Sequence, residues 1–169
     1  MLAVGAMAAY ETDRMANLPE APEFTTDTYS GYLKVTDTKS LHYVFAESEN
    51  DPATDPVIIW FNGGPGCSSM LAFMQENGPL AVDDGEDYIK TNPEPWTKRA
   101  NMLWIESPAG VGWSTAKTTE DWQQNDMTQS KDAFEALKHW YDKFPEFKEN
   151  KLFVSGESYG GVYVPYMAW

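Results

Sequence analysis

A short apolar run that ends in a glycine–x–serine–x–glycine turn restricts this chain more than any other feature. Leu152, Phe153 and Val154 have the length and content of a buried strand. Gly156-Glu157-Ser158-Tyr159-Gly160 follows at once, and the residues after it read as the start of a helix. In a turn of this kind the serine occupies a sharp bend, where flanking side chains larger than hydrogen would clash. The bend holds the hydroxyl clear of the sheet, within reach of both a base and a substrate. Five positions alone are a weak signal, since an ordinary Gly-rich turn can match them, so the rest of the chain has to agree.

Strands and helices alternate upstream. Tyr29–Val35 and Leu41–Glu47 are strand-like, with residues 36–40 as the turn of a hairpin. Glu49–Pro56 is a polar loop. Val57–Phe61 is a continuous apolar run, as expected of a central strand covered on both faces, and a helix is expected over Met70–Glu76. Residues 77–100 carry Gly78, Pro79, Gly85, Pro93 and Pro95 and read mostly as loop. Met102–Ile105 is a further buried strand, and the segment after it, Ser107–Ser114, reads as a structural loop that shapes the site. Thr118, with Asp121 in capping-box spacing, is expected to open one long helix that Pro145 ends. Ala133, Leu137, Trp140 and Phe144 form its apolar stripe, and Phe134 and Tyr141 widen it. The order predicts an α/β fold, a mostly parallel sheet with helices on both faces after an N-terminal antiparallel hairpin. Residues 1–24 read as a leader or extended arm, and residues 25–169 as part of one domain.

Charge narrows the partners. Twelve basic residues against 26 acidic ones give a net charge of −14, which opposes binding to nucleic acid or to an anionic membrane. No apolar run reaches the length of a membrane span. Met1–Tyr10 is apolar but lacks a basic leading region and is short for a signal peptide. No N-x-S/T sequon occurs, and Cys67 is the single cysteine.

A second glycine-dense segment, Asn62-Gly63-Gly64-Pro65-Gly66-Cys67-Ser68-Ser69, follows the Val57 strand. Attack by a serine on a carbonyl puts negative charge on oxygen, and converging backbone N–H groups stabilise it by about 3 kcal/mol each. One such donor is the N–H of the residue after the serine, here Tyr159. Gly63 and Gly64 can supply the other, and Pro65 cannot. A rival reading takes Gly64–Ser69 as a degenerate dinucleotide fingerprint with Asp83 as its acidic partner. The proline removes an amide from that cradle, and a nucleotide leaves the serine turn unexplained.

Four stretches together resemble the serine carboxypeptidases, of the α/β-hydrolase fold. They are YSGYLKV at 29–35, WFNGGPGCSS at 60–69, NMLWIESPAGVGWS at 101–114 and LFVSGESYGGVYVP at 152–165. The resemblance implies Ser158 as nucleophile and Gly64 and Tyr159 as oxyanion-hole amides. It implies that Asn62 and Glu157 grip the free C-terminal carboxylate of a peptide, with Glu76 in support and Trp60 and Gly63 in the pocket wall. It implies no cofactor and no metal, peptide or protein C-termini as substrate, and a place in the secretory pathway, the vacuole or lysosome, or outside the cell. Two carboxyls facing a substrate carboxylate repel it unless a proton is shared, so Glu157 and Glu76 should grip best in acid. A related acyltransferase, or a binding module that keeps only the carboxylate pocket, are the alternatives.

A base for Ser158 is missing from the sequence. In this fold the order is Ser, then Asp or Glu, then His, yet none of these three types follows Ser158. His42 and His139 both precede it and read as structural. The expectation is therefore the N-terminal portion of a longer enzyme, inactive alone, with Cys67 paired to a downstream cysteine as the resemblance implies. Its last strand should expose an edge and apolar faces.

Overall fold

The computed structural model describes residues 11–169. The apolar stretch Met1–Tyr10 lies outside the described residues. Among the described residues eight strands appear in chain order: β1 (Thr28–Lys34), β2 (Lys39–Ala46), β3 (Val57–Phe61), β4 (Leu80–Ala81), β5 (Lys90–Thr91), β6 (Asn101–Ile105), β7 (Thr115–Ala116) and β8 (Leu152–Gly156). Four α-helices accompany them: α1 (Met70–Gln75), α2 (Thr119–Trp122), α3 (Asp126–Lys143) and α4 (Gly160–Ala168). The main sheet runs β1-β2-β6-β3-β8, with β7 beside β2, and β4-β5 form a small separate ladder. β3 is parallel to both β6 and β8, while β2 is antiparallel to β1, β6 and β7.

Strand alternation divides the apolar residues between two cores. Tyr43, Phe45, Ile59, Phe61, Leu103 and Ile105 point to the face covered by α3 and α4. Val44, Trp60, Met102 and Trp104 point to the other face, with Ala72 and Phe73 of α1. Phe45 is the centre of the first core, within 5.9 Å, centroid to centroid, of Tyr29, Trp140, Phe144 and Phe147. In the arm before β1, Leu18 and Phe24 pack against the second core, while Asp13 reaches groups of β2 and α3. The Asp13 carboxylate accepts from the Tyr43 hydroxyl at 2.8 Å and pairs with Lys143.

Three expectations need correction. The capping box at Thr118 is present, but its helix stops at Trp122, and Asn125 opens α3 with a second box that includes Thr128. Two strong N-caps seven residues apart break one long helix into two. Phe134 lies on the exposed side of α3, and Tyr141 is half-buried; the stripe of Ala133, Leu137, Trp140 and Phe144 is buried as predicted. The β8 strand is not buried. It borders the sheet, and Leu152 and Phe153 are exposed at 38% and 52%. The open edge and apolar face anticipated for this strand are what the structure shows.

Truncating Phe45 to alanine is expected to cost about 3–5 kcal/mol. Urea unfolding of F45A checks this, and a loss below 1 kcal/mol would show that the aromatic cluster is not the fold's anchor.

Candidate active site

Parallel pairing of β3 with β8 sets Phe61 opposite Gly156, so both glycine-bearing loops leave the sheet at the same end. Ser158 has φ +54, the left-handed region that a residue with a side chain rarely enters. The turn closes through Gly160 N donating to Glu157 O at 2.7 Å and Gly161 N to Ser158 O at 3.0 Å. The flanking glycines are required by one neighbour. A Cβ on Gly156 would lie 2.6 Å from the Phe61 carbonyl oxygen, and one on Gly160 would lie 3.0 Å from the same atom. Ser158 itself is exposed.

The Asn62–Ser69 loop reaches the same place. A Cβ on Gly63 would fall 2.4 Å from Tyr159 N, 2.8 Å from Glu157 O and 2.9 Å from Ser158 Cβ. Gly63 N–H donates to Glu157 Oε1 at 3.1 Å, so of the two glycine amides considered, that of Gly63 is already engaged. Gly64 has φ +107 and lies in the exposed part of the loop. The loop is tied to the sheet through Ser69, whose Oγ accepts from Asn62 N at 3.2 Å and donates to Ile105 O at 2.8 Å.

Asn62 joins the carboxylates. Trp60 Nε1 donates to Asn62 Oδ1 at 3.0 Å, which fixes the amide's orientation. Asn62 Nδ2 then donates to Glu76 Oε1 at 3.2 Å and faces Glu157 Oε1 at 3.5 Å. Loss of water around the Glu76 carboxyl raises its pKa, the Glu157 charge adds to the rise, and the Asn62 hydrogen bond opposes it. All the residues singled out for the carboxylate grip, Trp60, Asn62, Gly63, Glu76 and Glu157, are brought together.

The histidines are elsewhere. His139 Nδ1 accepts from Lys34 N at 2.6 Å, and His42 sits between Ser30 and Glu106. Cys67 is exposed and unpaired. Two side chains near the site escaped the sequence reading. Glu106, wholly buried, accepts from Ser68 Oγ and from Trp113 N at 2.7 Å, joining the Asn62–Ser69 loop to the loop after β6. A Cβ on Gly112 would lie 1.8 Å from Glu106 Oε1. A carboxylate placed directly after a buried strand was the available signal. Asp126, at the start of α3, accepts from the Tyr159 hydroxyl at 3.2 Å, a contact between distant segments that no local pattern announces.

A family model described as serine carboxypeptidase matches residues 19–169. The chain belongs to the serine carboxypeptidase family. Among relatives, the mouse lysosomal protective protein is 45% identical over 158 residues, covering 94% of this chain and 33% of the relative. Serine carboxypeptidase-like 31 of Arabidopsis thaliana is 42% identical over 166 residues, covering 96% of this chain and 34% of the relative. The crystal structure of Kex1(delta)p, a prohormone-processing carboxypeptidase from Saccharomyces cerevisiae, superposes with a TM-score of 0.75 at 29% identity. That match covers 95% of this chain and 37% of the other. The fold is thus the α/β-hydrolase type of the serine carboxypeptidases, and the chain spans about a third of the length of these relatives.

Two outcomes follow from the carboxypeptidase geometry. Gly63→Ala has only backbone and Ser158 Cβ to push against, and it should lose about 1–3 kcal/mol in urea unfolding; an unchanged midpoint would contradict the close approach. Glu76, with its pKa raised above the ordinary 4.5, favours the folded state when protonated. Stability therefore falls as pH rises from about that value through the folded pKa. Glu76→Gln should melt with the parent in acid and above it at neutral pH, and the opposite order at neutral pH would overturn the assignment.

Proposed function

We propose that this chain carries the acyl-forming and carboxylate-gripping part of a serine carboxypeptidase site. Ser158 is the nucleophile, and the amides of Gly64 and Tyr159 receive the oxyanion. Asn62, Glu157 and Glu76, backed by Trp60 and Gly63, hold the C-terminal carboxylate of a peptide or protein. The observation that carries this reading is the Asn62–Glu76–Glu157 cluster within one residue of a serine at positive φ. Acyl transfer at this turn would release the C-terminal residue and leave the remaining peptide as an ester on Ser158. A protonated Glu76 donates to the incoming carboxylate, whereas an ionised one repels it.

The placement of the histidines supports a second, narrower statement. Both are hydrogen-bonded away from Ser158, so the 169-residue chain alone is proposed to bind C-termini with negligible turnover. A base for Ser158 and a partner for Cys67 are proposed to lie outside these 169 residues. The mouse relative is named lysosomal. A secretory or lysosomal setting, where acid favours the grip, is proposed for this chain too.

Calorimetry with an N-blocked dipeptide and its C-terminal amide tests the grip. The free acid should bind about tenfold or more tighter at about pH 5, since charge-assisted hydrogen bonds are lost with the amide. The advantage should shrink toward about pH 8 as Glu76 ionises. Equal binding of acid and amide, or tighter binding of the acid at the higher pH, would sink the proposal.

A further inference from the structure

A second serine has the partners of a nucleophile. Ser30 Oγ on β1 lies 2.9 Å from His42 Nε2 on β2, and Nδ1 of the same ring lies 3.0 Å from Glu106 Oε2 at the end of β6. Hairpin register places Ser30 opposite Val44 and His42 opposite Tyr32, so Ser30 and His42 are diagonal neighbours on one sheet face. The Glu106 side chain is completely buried. Burial pushes its pKa up, but hydrogen bonds from His42, Ser68 and the Trp113 N–H outweigh that and hold it below the ordinary 4.5. An ionised carboxylate only accepts, so His42 donates from Nδ1, and in the neutral ring Nε2 presents its lone pair to the Ser30 hydroxyl. This is the tautomer a general base requires.

The line opens on a cleft. Ser30 and His42 lie in the wall of a space of about 430 Å³ whose remaining lining includes Leu18, Met70, Phe73, Met74 and Trp113. The lining is mostly apolar and suits a short acyl chain. Ser30 sits in extended strand rather than at a turn pressed against a second glycine loop, unlike Ser158. Without converging amides, attack is limited to esters with a good leaving group, and the acyl product should accumulate.

We propose that Ser30 is a second acylation site, activated by His42 and Glu106, for activated esters of short apolar acids. Ser30 Oγ forms a bond to the acyl carbon, its proton passes to His42 Nε2, and the ester C–O bond breaks to release the phenolate or equivalent leaving group. Nothing is oxidised or reduced.

The test uses the 169-residue chain with Ser158→Ala, so that its outcome is independent of the carboxypeptidase reading. The protein is treated with p-nitrophenyl butyrate, and the label is located by tryptic mass spectrometry. A burst of about one equivalent of p-nitrophenolate per chain is expected, with the butyryl group on Ser30 and slow turnover afterwards. Ser30→Ala should abolish the burst, and His42→Gln should slow it about a hundredfold. Circular dichroism establishes that each variant is folded; should His42→Gln fail to fold, Ser30→Ala, which removes only a hydroxyl, decides. Label confined to lysines or the N-terminus, no burst, or a burst unchanged in Ser30→Ala would overturn the proposal.

Discussion

The constraint around Ser158 is steric: at Gly63, Gly156 and Gly160 a side chain would meet main chain that already occupies the space. The Phe61 carbonyl sits between Gly156 and Gly160, and the Ser158 turn presses on Gly63. Parallel pairing of β3 and β8 creates the first contact, because both strands end level. The second follows, since the loop after β3 has nowhere to go except across the turn after β8. Ser158's positive φ is held in place by these contacts, since an isolated loop would relax out of it. The sheet thus acts as a jig that brings two remote loops into register, and the proposed chemistry depends on that jig.

Charge is arranged around the same end of the sheet in two layers. The outer layer is Glu76 and Glu157 with Asn62 between them. The inner layer is Glu106, deep behind the loops, which collects donors from β2, from Ser68 and from Trp113. A buried carboxylate with this many donors stays ionised, and removing any one partner leaves charge uncompensated. Glu106 therefore fastens the loops to each other, and Ser69 fastens one of them to β6.

Much of this could be read from the residues. Alternating and continuous apolar runs announced β1, β2, β3 and β6 within a residue or two, because each follows the period of the face it buries. The glycine loops and the carboxylate cluster were legible because their chemistry requires specific residue types at fixed spacing. The break between α2 and α3 was not, since two good caps compete and only packing chooses where the chain bends. Phe134 was misplaced because an apolar residue one position off a helical stripe looks like part of it. The Ser30–His42–Glu106 line joins three strands across the sheet, and nothing local in any of them betrays the others.

The hydrogen bonds of Glu157 bear on the proposed carboxylate grip. Its carboxylate already occupies the Gly63 amide and faces the Asn62 amide at 3.5 Å, so these donors are not waiting in water. A visiting carboxylate would exchange one anion for another at hydrogens that are already aimed. Little reorganisation of the Gly63 and Asn62 amides would then accompany binding, but the Glu157 side chain would have to move aside first. On the proposed reading, selectivity at this place would arise from competition with the protein's own side chain, which acts as a built-in rival.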